Sequence, residues 1–84
     1  MILYRAPVQY PEDAFEEGSE ETVYVMTFVN YAGEVFDAKL TEGTASSLFQ
    51  RASIRASMNC RFAPSETGLA IVLPYEFKSE ELNH

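Results

Sequence analysis

The sequence predicts an α+β domain: a small antiparallel three-stranded sheet packed against two helices on one face, ordered short helix–strand–strand–long helix–strand. Three observations carry this. Residues 22–30 and 34–41 alternate their side chains with a period of two across a Gly-containing turn. Residues 45–59 switch to apolar steps of three and four. A third extended run, 69–77, follows a loop containing Pro64 and Gly68.

The first ten residues read as an extended arm with the character of a short edge strand. Pro7 and Pro11 each push the residue before them, Ala6 and Tyr10, out of the helical region. Pro11 then suits the first turn of a helix, where its missing N–H costs nothing. Glu12 and Asp13 favour the positive end of the helix dipole, and Gly18 offers a stop. A two-turn helix is therefore expected over 11–17. Glu12, Asp13, Glu16, Glu17, Glu20 and Glu21 make this stretch a solvated acidic face without the Asp/Asn/Gly spacing of a calcium loop.

Residues 22–30 are rich in β-branched and aromatic side chains and contain no Gly or Pro. Val23, Val25, Thr27 and Val29 share one face, and Tyr24, Met26 and Phe28 the other. Both faces are largely apolar, so both are expected to be covered, or one to serve as an interface. Gly33 supplies positive φ to the turn. In 34–41, alternation places Val35, Asp37 and Lys39 on one side and Phe36, Ala38 and Leu40 on the other. Thr44 is a candidate helix cap. The helix that follows carries a core stripe of Leu48, Phe49, Ala52, Ser53, Ala56 and Cys60, with Gln50, Arg51 and Arg55 off it. In the last strand Pro74 cannot donate to a ladder, so the strand is expected to lie at an edge there or to be bulged. Residues 79–84 are a polar tail.

At 84 residues the chain is one domain, 1–84. Six Lys and Arg face thirteen Asp and Glu, a net charge of −7, which argues against nucleic acid and anionic membrane surfaces as partners. No stretch is long and apolar enough to insert in a membrane. The lone Cys60 excludes an internal disulfide and a multi-cysteine zinc site. The single histidine, His84, is the last residue, and no nucleophile–base pair assembles around it. No glycine-rich phosphate loop is present. No catalytic residue, metal or cofactor is expected, and the chain reads as a binding module rather than an enzyme. Sheets of few strands expose edges, and an exposed edge can capture an extended peptide by β-augmentation. Residues 69–77 are the best candidate edge.

One ordered set of residues is similar to the TonB C-terminal domain family: Tyr10-Pro11, Ala14 and Gly18; then 23–29 with Gly33-Glu34-Val35; then Phe49, Ala52 and Ala56 leading to Cys60-Arg61-Phe62-Ala63-Pro64; then Gly68 and a strand ending Tyr75-Glu76-Phe77. The resemblance spans roughly residues 6–78. It implies a periplasmic, non-enzymatic domain of an energy transducer. Such a domain grips the TonB box, a short N-terminal segment of a TonB-dependent outer-membrane transporter, by β-augmentation on its last strand. Partners resembling ExbB and ExbD would act through an anchor that this sequence lacks, so the chain is expected to be an excised domain or a stand-alone one. By carry-over, Leu69, Ala70, Ile71, Val72, Leu73, Tyr75 and Phe77 present the edge, and Val8, Gln9, Tyr10 and Pro11 match the stretch near the transporter contact. Cys60 stands where the family carries a tryptophan, and Glu20-Glu21 where it carries Glu-Gly. The alternative is a stand-alone adaptor or self-associating domain, including a homodimer, that uses the same edge. A third reading has the acidic 12–21 segment dock a basic partner.

Overall fold

The structure, a computed structural model, describes residues 1–8, 21–41 and 47–78. The expected helix at 11–17, the cap Thr44 and the tail at 79–84 lie outside the described residues. Strand β1 is Ile2–Tyr4, β2 Glu21–Val29, β3 Val35–Leu40, helix α1 Ser47–Met58, β4 Arg61–Phe62 and β5 Leu69–Phe77. The three-stranded antiparallel sheet has the order β3-β2-β5, so the clearest strand of the sequence is its centre. One described helix, α1, packs on it.

The β2–β3 turn is built on Asn30, whose Oδ1 accepts from the Ala32 and Glu34 backbone N–H groups, each at 3.0 Å. This is the side-chain turn that Asn favours. Gly33 takes φ of 87°, and a Cβ there would stand 2.0 Å from the Phe62 carbonyl oxygen. That close approach is a bond in its own right, because the Phe62 N–H donates to the Gly33 carbonyl at 3.0 Å.

Beyond the turn the alternation expected in β3 does not hold throughout. Val29 pairs with Val35 but Phe28 pairs with Asp37, so Phe36 is an extra residue and the ladder shifts. Val35 is buried on the helix side with Ala38 and Leu40 behind it, and Phe36 is turned outward, 62 % exposed. The bulge therefore swaps Val35 and Phe36 relative to a strict period of two.

A second, two-stranded sheet was not foreseen beyond the extended arm. Residues 2–4 pair antiparallel with Arg61 and Phe62, just after α1. The Ala63 N–H donates to the Met1 carbonyl at 2.9 Å, so the arm is tied to the chain that leaves the helix. Phe62 is buried against the core, which explains why this pairing is worth making.

The core lies between α1 and one face of the sheet. Val23, Val25, Thr27 and Val29 of β2 meet Leu73, Tyr75 and Phe77 of β5, with Phe49, Ala56 and Cys60 from the helical side. Phe49 and Phe77 stack with centroids 4.3 Å apart. Each such side chain contributes about 1.5–3 kcal/mol by leaving water. Ser53 sits in this stripe at no polar cost, since its hydroxyl donates to the Phe49 carbonyl one turn back at 2.7 Å. On the opposite face, Tyr24, Phe36 and Val72 are exposed. Phe28 and Phe36 meet there at 6.3 Å, with the Lys39 ammonium 5.8 Å from the Phe28 ring. Of the two outcomes expected for this face, the described residues leave it uncovered.

Candidate functional site: the edge of the last strand

Strand β5 has one neighbour among the described residues, β2, along an unbroken register from Glu21 opposite Phe77 to Val29 opposite Leu69. Pro74 is thus not bulged, and of its two expected explanations the edge position stands. Which backbone groups point to the open side follows from one contact. The Thr41 N–H and hydroxyl both reach the Tyr24 carbonyl, each at 3.1 Å, so Tyr24 turns its backbone towards β3. In an antiparallel ladder the bonding direction alternates along a strand. Val23, Val25 and Thr27 therefore bond β5 through their partners Tyr75, Leu73 and Ile71. Pro74, opposite Tyr24, faces away from β2, the one orientation in which its missing N–H costs no bond.

This parity divides the residues expected at the edge. Leu69, Ile71, Leu73, Tyr75 and Phe77 spend their backbone groups on β2. Leu73, Tyr75 and Phe77 also spend their side chains on the core, while Leu69 and Ile71 pack partly against it. The outward N–H and C=O groups belong to Ala70, Val72 and Glu76, with a carbonyl alone from Pro74. Ala70, Val72, Pro74 and Glu76 all have exposed side chains. Pro74 and Glu76 were not among the expected site residues. The signal was present in the sequence: a proline inside a paired strand must aim its nitrogen away from the partner, and every second residue follows it.

The arm reaches the same edge. Val8 is half-buried against the core; Gln9, Tyr10 and Pro11 lie outside the described residues. Arg5, which the sequence did not single out, donates from Nη2 to the Pro74 carbonyl and lays its guanidinium 5.1 Å from the centroid of the Tyr75 ring.

Behind the edge, a polar chain crosses the core. The Thr27 hydroxyl donates to Ser57 Oγ at 3.1 Å, and Ser57 Oγ and the Tyr75 hydroxyl are 2.8 Å apart. Tyr75 lies 3.8 Å from Cys60 Sγ, which in turn donates to the Ala56 carbonyl at 3.3 Å. One set of donors running Thr27, Ser57, Tyr75, Cys60 satisfies every buried hydroxyl, as a low-dielectric interior demands. Burial pushes the Tyr75 hydroxyl up to about 12. The Ser57 hydrogen bond and the nearby Arg5 charge work against the rise, while the hydrogen bond to Cys60 adds to it. Cys60 is fully buried, a small apolar filler with a satisfied thiol. Among the described residues no three His, Cys, Asp or Glu side chains gather to hold a metal.

What this arrangement offers is a row of main-chain donors and acceptors along a strand of unbroken register. No protein-family model matches the chain, and no curated protein matches it. Among solved structures it is similar to the C-terminal domain of Pseudomonas aeruginosa TonB, determined by solution NMR, at 28 % sequence identity and a TM-score of 0.72. The match covers 93 % of this chain and 84 % of that one. The resemblance read from the sequence is therefore borne out: over nearly its whole length the chain has the fold of a TonB C-terminal domain.

Proposed function

We propose that the chain is a TonB-like energy-transducer domain that binds the TonB box of an outer-membrane transporter by adding it as a strand to β5. One observation carries the reading: β5 is a nine-residue, unbulged edge with outward backbone groups at Ala70, Val72, Pro74 and Glu76. The likeness to a TonB C-terminal domain supports the transducer role. The role places the domain in the periplasm and assigns it no chemistry of its own. Force would reach it from partners resembling ExbB and ExbD. No described helix is long and apolar enough to cross a membrane. A second reading, a homodimer paired β5 to β5, is favoured by Tyr24, Phe36 and Val72, whose exposed apolar face would continue across a joined sheet.

The test is titration with a synthetic TonB-box peptide followed by amide NMR. The reading expects the largest shifts at Ala70, Val72 and Glu76, and smaller ones at their odd-numbered neighbours. Shifts confined to loops, with β5 untouched, sink it. Light scattering over a wide concentration range separates the dimer from the monomer.

A further inference from the structure

We propose that Arg5 guards the free edge of β5, so that an incoming strand pairs along its whole length only after Arg5 lets go. This rests on the edge-docking reading above. Three observations meet at one point. The Pro74 carbonyl faces outward, and it is one of the acceptors an added strand would use. Arg5 already donates to it. The guanidinium is held there twice, by that hydrogen bond and by the Tyr75 ring beneath it. Arg5 is also not a loose side chain on a loose tail. Tyr4 before it is paired with Arg61, and Ala6 after it is buried in the core.

The consequence is an edge of two unequal halves. Around Ala70 and Val72 outward donors and acceptors alternate, with no strand partner among the described residues. At Pro74 the N–H is missing and the carbonyl is taken, so a docked strand finds neither partner there. A peptide therefore nucleates at Ala70 and Val72 and completes its pairing towards Glu76 by displacing one side chain. A guard of this kind also keeps two copies from zipping edge to edge, the usual hazard of an open strand.

The experiment compares wild type with Arg5→Met, which keeps an unbranched stem and removes the donor and charge, and with Arg51→Met as control on the exposed side of α1. Each is titrated with the same TonB-box peptide. Loss of one exposed charge-assisted hydrogen bond is worth on the order of tenfold. Arg5→Met is expected to bind about tenfold tighter and to show new shifts at Glu76, with Arg51→Met unchanged. Equal or weaker binding by Arg5→Met overturns the guard and leaves edge docking intact. Absence of binding by every variant overturns edge docking itself. The guard is then judged by the Pro74 carbonyl carbon resonance: a shift in Arg5→Met keeps Arg5 on the edge, and an unmoved resonance removes it.

Discussion

Proline substitutions at two adjacent positions separate the parity of β5 from every other account of it. Ile71 lies opposite Thr27 and directs its N–H at β2; Val72 directs its N–H to the open side. Ile71→Pro therefore deletes a ladder donor and drives a ring into β2. It also orphans the carbonyl of Thr27, a residue with no solvent exposure. An unsatisfied buried acceptor costs about 1–3 kcal/mol, and trimming a half-buried isoleucine adds about 1 kcal/mol more. The sum is about 3–4 kcal/mol before any clash is counted. Val72→Pro deletes no internal bond, and its side chain is already 41 % exposed. Its stability cost is expected to stay under about 1 kcal/mol, as for other exposed positions. A chain of 84 residues is expected to have roughly 4–13 kcal/mol in all, so the gap is readable by urea denaturation. In peptide titration the order reverses in interest. Val72→Pro keeps the fold yet removes one outward donor and fills its place with a ring, so binding is expected to weaken more than tenfold. Equal destabilisation by the two prolines would refute the assigned parity. A folded Val72→Pro that binds the peptide like wild type would refute docking on this edge.

Two further outcomes follow from the core and the turn. The Tyr75 hydroxyl is raised from 10.0 to about 12 in the folded chain, so the folded state holds that proton more tightly than the unfolded one. Its contribution is complete below pH 10 and is lost as pH rises through 12. The stability of wild type is expected to fall more than that of Tyr75→Phe over this window, by less than about 3 kcal/mol because solvent screens part of the effect, and parallel curves would contradict it. Gly33→Ala places a methyl against the Phe62 carbonyl at positive φ. It is expected to cost about 2–4 kcal/mol, seen as a Tm roughly 10–25 °C lower; a Tm within a few degrees of wild type would mean the turn relaxes freely.

The sequence was most legible where one constraint acted alone. The run from Val23 to Val29 could only be a strand, but its central place was not legible, because apolar faces say what covers a strand and not which strands pair along its edges. The helical stripe was readable because the period of 3.6 persists for three turns, although Ser57 joins it only through Thr27 and Tyr75, residues distant in the chain. The β3 bulge was not readable. Nothing local distinguishes Val35 from Phe36, and the turn geometry around Gly33 and Phe62 decides which of them faces the helix. The pairing of Ile2 with Phe62 joins residues far apart in the chain, and period-two patterning in three residues carries almost no signal. Arg5 escaped for the same reason: its partner, Pro74, is 69 residues away. At the candidate site, Pro74 announced an edge, but the expected set mixes both parities, Leu69, Ile71, Leu73, Tyr75 and Phe77 with Ala70 and Val72, and omits Pro74 and Glu76. The alternation that Pro74 itself imposes would have picked out Ala70, Val72 and Glu76.

Among the described residues the sheet has two edges, β3 and β5, and they differ in how strongly they discourage an added strand. On β3 the ladder is interrupted by the bulge at Phe36, the strand is six residues long, and Lys39 and Asp37 stand on its surface. Short length, a bulge and a lysine are the devices by which sheets discourage added strands. On β5 the register with β2 is continuous over nine residues, and the one outward charge is Glu76, which meets Lys78 at 3.3 Å. A bulge could have blunted β5 as it does β3. Instead the strand carries a proline, which removes a single donor and leaves the backbone straight. A bulge twists an edge away permanently, whereas a carbonyl capped by an arginine can be freed, although the donor that proline lacks is not restored. Under the proposed Arg5 guard, this continuous edge would be closed by a side chain rather than by the backbone, and a side chain can be displaced without unfolding the sheet.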